Sequence, residues 1–135
     1  MNAHLKSLAI TAKNASEKAY APYSKFKVGA VVEDYEGNIY TGCNVENVAF
    51  PSGICAERTA IFKAVSEAGP NFRIKTLLIY TPTTSTTAPC GGCRQVMQEF
   101  ATPDTRLISV CESEAILDKA FADLLPIPTE IEGLK

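Results

Sequence analysis

Cys55-Ala56-Glu57-Arg58 puts a soft metal ligand, an acid–base carboxylate and a cation on four consecutive residues. The run Ile61-Phe62-Lys63-Ala64-Val65 reads as the body of a helix, so Cys55 and Glu57 stand at a helix start. Unpaired N–H groups and the helix dipole favour negative charge there, which lowers a thiol's pKa and makes it a better ligand. Further along, Pro89-Cys90-Gly91-Gly92-Cys93 supplies a proline where a helix can begin and two cysteines on one turn. Three thiolates from two helix starts, with a fourth position left for water, is the layout of a catalytic rather than a structural zinc site.

A carboxylate two residues from a zinc ligand can lie beside the metal's water without binding the metal, and so can carry protons between that water and a substrate. Alone, Glu57 would read equally well as a first-turn acid favoured by the helix dipole. The neighbouring cysteines decide for catalysis. Three thiolates also leave Zn²⁺ with a net negative charge that blunts its acidity, so a compensating cation is expected. Arg58 is the candidate to hydrogen-bond the sulfurs, with Arg94 a second one. Without the neighbouring cysteines, Arg58 would read as a surface residue on a helix.

To use these groups together, the chain must bring two helix starts to one edge of a sheet. Leu5, Leu8, Ala9, Ala12, Ala15 and Ala19 recur at helical spacing and predict an amphipathic helix over 4–20 that ends near Pro22. His4, the single histidine, reads as a terminal surface residue rather than a ligand. From Phe26 the period is two, with Phe26, Val28, Ala30 and Val32 on one face. The turn Asp34-Tyr35-Glu36-Gly37-Asn38 and a second strand from Ile39 to about Val45 complete a hairpin. Asn44-Val45-Glu46-Asn47, at its end, reads on its own as a polar turn.

A central helix is expected over 56–68, stopped by Gly69-Pro70, then a near-continuous apolar strand over 74–80 that should be central and covered on both faces. A helix over 91–100, a strand over 106–111 and a last helix over 113–125 follow. The last rests on the spacing of Leu117, Ala120, Phe121, Leu124 and Leu125. Cys43 and Cys111 fall on expected strands and read as buried small side chains. The order helix, hairpin, helix, strand, helix, strand, helix implies a three-layer α/β domain around one mixed sheet.

With 135 residues, 46% of them hydrophobic, the chain is expected to form one domain over 1–135. The net charge of −2 comes without basic blocks, which argues against a nucleic-acid partner, and no apolar run approaches a membrane span. Five cysteines without a secretion-type leader read as ligands and thiols of a cytoplasmic protein rather than as disulfides.

Cysteine, alanine, glutamate, then proline and a cysteine pair, is the zinc nucleobase-deaminase pattern. The chain resembles the cytidine deaminases of the small, homotetrameric, zinc-dependent class from Ala19 to Pro126. The likeness is carried by Tyr20-Ala21-Pro22-Tyr23-Ser24-Lys25-Phe26, Val28-Gly29-Ala30, Gly42-Cys43-Asn44-Val45-Glu46-Asn47, the two cysteine motifs with Arg94-Gln95, and Leu124-Leu125-Pro126. The resemblance implies a three-layer α/β/α cytidine deaminase-like fold around one mixed five-stranded sheet. It implies Zn²⁺ on Cys55, Cys90 and Cys93, Glu57 as proton shuttle, Asn44 and Glu46 on the ribose, the Ala56 backbone reading the pyrimidine, and Phe26 packed on the base.

The implied reaction is hydrolytic deamination of free cytidine and deoxycytidine to uridine, deoxyuridine and ammonia by a metal-activated water, a step of pyrimidine salvage in a homotetramer. A carboxylate at Glu46 would accept ribose hydroxyls and repel a phosphate, which favours nucleosides over nucleotides. Two positions depart from the family. Ile127-Pro128-Thr129 follow Pro126 where an aromatic residue is usual, and Phe50 stands where tyrosine is common. Other classes make different demands. A dithiol redox protein needs Cys90 and Cys93 but neither Cys55 nor Glu57. A structural zinc module needs a fourth protein ligand, and a sister deaminase of a cytosine-containing antibiotic would not need the Asn44 and Glu46 ribose motif.

Overall fold

The computed structural model describes residues 1–135. Asn2 caps the first helix, α1 (Ala3–Ser16), its side-chain oxygen accepting the Leu5 N–H at 2.8 Å. The helix ends at Ser16, short of the expected residue 20. There Glu17, Lys18 and Ala19 turn their N–H groups to carbonyls three residues back.

Strands β1 (Gly29–Glu33) and β2 (Ile39–Cys43) form the expected hairpin. Asp34 builds its turn by accepting the N–H groups of Glu36 and Asn38, each at 2.9 Å. Both strands are shorter than their sequence pattern. Phe26 and Val28 precede β1, and Val45 bridges instead to Tyr20 and Ile54. Helix α2 (Ala56–Ala68) and strand β3 (Ile74–Tyr80) have the expected bounds, and α3 (Gly91–Phe100) runs without a loop into β4 (Ala101–Val110). That strand starts earlier than expected and includes Pro103. The register beside Ile74 shifts there, and Thr105 donates its hydroxyl to the Ile74 carbonyl at 2.6 Å.

The expected helix over 113–125 is absent. Its residues form β5 (Ile116–Ala120) and a single 3₁₀ turn, Phe121–Asp123. Tertiary pairing overrides the helical spacing: β4 would otherwise leave an open edge, and β5 closes it antiparallel, with Leu117 opposite Ser109 and Lys119 opposite Leu107. Cys43 and Cys111 are only partly buried, because β2 is an edge strand and Cys111 lies just past the end of β4.

The sheet order is β2-β1-β3-β4-β5, mixed, with β3 and β4 parallel and the other neighbours antiparallel. β3 is central. One face carries Val31, Leu78, Ile108 and Val110 against Leu8 and Ala12 of α1. The other carries Ala30, Val32, Leu77, Ile79 and Leu107 against Ala60, Ile61 and Ala64 of α2 and Met97 of α3. These are the expected three layers, and two glycines set their spacing. A Cβ on Gly29 would lie 1.8 Å from the Ala12 carbonyl oxygen of α1. One on Gly42 would lie 2.4 Å from the Ala60 nitrogen of α2. No helix is long and apolar enough to cross a membrane.

Candidate functional site

Cys55 is the N-cap of α2 and Cys90 that of α3, and neither helix start has a side-chain cap bond. Cys93 follows on the first turn of α3, fully buried. A ladder of backbone bonds places Cys55. Val45 and Ile54 exchange N–H to carbonyl bonds at 3.0 and 2.9 Å, and on the other side Glu46 donates its N–H to Tyr20 at 2.8 Å. With Gly42 seating α2 on β2 and the β3–α3 connection delivering Pro89, the sulfurs of Cys55, Cys90 and Cys93 lie within 4.8 Å of one another.

The electrostatics follow from crowding. Arg58 donates from Nη2 to the Cys55 sulfur at 3.6 Å, and its buried Nε has no hydrogen-bond partner. The Cys55 thiol is pulled down to about 5, chiefly by a hydrogen bond from the Cys93 thiol and then by Arg58, against the effect of burial. Cys93 is pushed up, since it is the donor of that bond and is buried. Glu57 is 6% exposed, and burial, reinforced by the Cys55 charge, holds its carboxyl above the usual range. The Arg58 guanidinium is held more firmly protonated by the sulfurs of Cys93 and Cys55.

Three soft donors with no fourth protein ligand in the cluster suit a thiolate-preferring metal with an open position. The three sulfurs converge on one point between the two helix starts, and the part-buried Arg58 guanidinium beside Cys55 supplies the compensating charge. His4 lies elsewhere, paired with Glu33 at 2.8 Å. Arg94 also lies off the sulfurs, contrary to its expected role. It donates to the carbonyls of Pro89 at 2.8 Å and Leu124 at 2.9 Å.

A cavity of about 620 Å³ opens beside the cluster, lined among others by Tyr23, Asn44, Glu46, Phe50, Cys55 and Arg58. Asn44 is not a free polar turn. Its Oδ1 accepts the Val28 N–H at 2.9 Å and its Nδ2 donates to the Phe26 carbonyl at 2.7 Å. Glu46 accepts the N–H groups of Tyr23 at 3.0 Å and Ser24 at 3.1 Å together with the Ser24 hydroxyl. The Ser24 bonds hold its carboxyl below the usual range. Both side chains therefore pin the segment that precedes β1, in which Lys25 adopts a left-handed φ of 59°. Sequence reading gave Ser24 and Gly42 no role. Both stand in runs that carry the family likeness, but nothing local reveals their partners. Phe26 is 37% exposed and Ala56 fully buried, and neither lines this cavity.

Residues 3–109 match the family model for the cytidine and deoxycytidylate deaminase zinc-binding region. A cytidine deaminase of Sporosarcina psychrophila is 43% identical over 122 residues, 90% of this chain and 88% of that protein. One from Halalkalibacterium halodurans is 38% identical over 112 residues, 83% of each chain. Among solved structures, the cytidine deaminase of Burkholderia pseudomallei superposes with a TM-score of 0.87 at 39% identity, covering 96% of this chain and all of that one. That of Mycobacterium tuberculosis gives 0.81 at 32% identity, with the same coverage.

Proposed function

This chain belongs to the cytidine and deoxycytidylate deaminase family, and from that premise we propose that it hydrolyses free cytidine and deoxycytidine to uridine, deoxyuridine and ammonia with zinc held by Cys55, Cys90 and Cys93. The observation that carries this reading is the meeting of three sulfurs within 4.8 Å at two helix starts, with buried Glu57 two residues from Cys55. When bound there, zinc supplies a Lewis acid that brings the pKa of water toward neutrality.

The chain's own groups do the rest. Glu57, whose carboxyl burial holds above its usual range, takes a proton from water as the oxygen adds to C4 and delivers it to N3. A second proton passes through Glu57 from the added hydroxyl to the amino nitrogen, the C4–N bond breaks, and ammonia leaves. Arg58 withdraws charge from the sulfurs. Asn44 and Glu46 hold the ribose with the donor and acceptor capacity left beyond their backbone bonds: Nδ2 has a second hydrogen, and the carboxylate oxygens have free lone pairs. Ala56, in the first turn of α2 where N–H groups lack helical partners, offers its backbone to the pyrimidine, and Phe26 packs on the base.

Glu46 stays a carboxylate and disfavours a 5′-phosphate, so the substrate is the nucleoside. We place the activity in pyrimidine salvage, in the cytoplasm, where five unpaired thiols persist, and in a homotetramer. Exposed Phe50, Val48 and Ile127 supply apolar surface for such contacts. Chromatographic assay of zinc-replete protein on cytidine, deoxycytidine and cytidine monophosphate tests the reading. Conversion of both nucleosides with little of the nucleotide is expected, and equal conversion of the nucleotide would contradict it. Sedimentation of a monomer at assay concentration would remove the tetramer.

A further inference from the structure

The C-terminal segment lies along α3. Arg94 joins the loop before the helix to residue 124, donating from Nε to the Pro89 carbonyl and from Nη1 to the Leu124 carbonyl at 2.8 and 2.9 Å. One residue on, Gln95 exchanges two hydrogen bonds with the Thr129 backbone, accepting its N–H at 3.2 Å and donating to its carbonyl at 3.3 Å. Lys135 closes on Glu99 at 2.6 Å. These ties leave from Arg94, Gln95 and Glu99, none of them among the buried residues of this ten-residue helix.

That helix needs them. Only Cys93 and Met97 of α3 are buried, and a helix of this length is marginal without tertiary support. Its first turn has no side-chain cap, since Cys90 occupies the N-cap position as a thiol. Two of the three sulfurs ride on this uncapped turn of a helix that buries two residues, whereas Cys55 stands on α2, which buries five.

We propose that residues 124–135 act as a strap, clamped by Arg94 and Gln95, that fixes the start of α3 and so holds Cys90 and Cys93 in place for the metal. Arg94 is then a positioning residue that acts through the Pro89 carbonyl. The proposal rests on the assignment of the three cysteines as zinc ligands. A guanidinium can serve two carbonyls in a fixed fork where a lysine reaches one, so Arg94→Lys should fall between wild type and Arg94→Ala.

The readout is zinc release to an excess of a chromogenic chelator, measured beside thermal unfolding of the metal-free proteins. Compared are wild type, Arg94→Ala, Arg94→Lys, Thr129→Pro and Ile108→Val. Thr129→Pro removes the N–H that Gln95 accepts, in an exposed tail where it does not threaten the core. Ile108→Val trims the α1 side of the sheet, remote from α3, and serves as the destabilised control. Arg94→Ala should lose zinc about 10–100-fold faster than wild type, the usual effect of removing a group that orients a metal ligand. Arg94→Lys should be intermediate and Thr129→Pro clearly faster than wild type, all exceeding any change in Ile108→Val. Zinc retention by Arg94→Ala or Thr129→Pro equal to wild type, or release no faster than from Ile108→Val, overturns the strap. If Arg94→Ala fails to fold, Thr129→Pro decides alone. Wild type that binds no stoichiometric zinc would instead remove the ligand assignment, and the strap with it.

Discussion

Arg58 meets Cys55 across one turn of α2, Nη2 to sulfur at 3.6 Å, and its Nε is buried without a partner. A part-buried cation with a buried, unused donor is costly unless nearby charge stabilises it, and the cysteine sulfurs beside it supply that charge. Arg58→Gln should therefore keep the fold but weaken zinc affinity and turnover, each by about 10–100-fold. Isothermal titration of metal-free protein with zinc, beside cytidine turnover, reads both; unchanged affinity would return Arg58 to a packing role.

Gly42 seats α2. A Cβ there would press to 2.4 Å from the Ala60 nitrogen and 2.5 Å from the Ala56 carbonyl oxygen, both backbone atoms that cannot rotate away. Gly42→Ala should cost about 1–3 kcal/mol by overpacking and, by displacing Cys55 and Glu57, should lower zinc content and activity. Gly37→Ala is the contrast. That glycine has a φ of 87° and open space around its would-be Cβ, so about 1–2 kcal/mol of backbone strain should appear with turnover unchanged. Urea unfolding and metal analysis separate the two.

Asn44 ties Phe26 and Val28 to the end of β2 with both ends of its amide. Asn44→Ala should cost about 1–3 kcal/mol, since part-buried backbone groups lose their partner, and should raise KM for cytidine as well. A variant with raised KM and undiminished stability would mean that the backbone bonds contribute nothing to the fold.

Ser24 sets the protonation of Glu46. The folded-state pKa of Glu46 lies below its ordinary value of 4.5, mainly through the Ser24 hydroxyl and N–H. The turn is therefore stabilised above that value and loses this support only as pH falls through the lower, folded-state value. Ser24→Ala should move the midpoint up toward 4.5, so that loss begins at higher pH. A carboxyl-carbon NMR titration of Glu46 measures it directly, and identical midpoints in the two proteins would contradict the assignment.

Much of the site was legible because its signals are local. Cys55 and Cys90 stand just before helices whose apolar stripes and stops are clear, and Gly69 ends α2 where expected. β3 reads as a central strand because it is apolar on both faces, and it is central. What failed depends on distant partners. The run from Ile116 to Asp123 has helical spacing, and only the open edge of β4 turns it into a strand. Arg94 looks like a second cation for the sulfurs until Leu124, thirty residues on, takes its guanidinium. Asn44 and Glu46 read as a turn because the segment that they pin, around Tyr23 to Val28, reaches them through the Tyr20 to Val45 bridge.

The central claim is that Glu57 moves protons beside a zinc held by three cysteines. Glu57→Gln preserves its size and burial while removing the titrating group, so the direct measurement is cytidine turnover by wild type and Glu57→Gln, each with zinc counted per chain. One zinc per chain in both proteins, with turnover reduced about 10²–10⁴-fold in the variant, is the expected result. A zinc-loaded Glu57→Gln that deaminates cytidine at the wild-type rate would contradict the account.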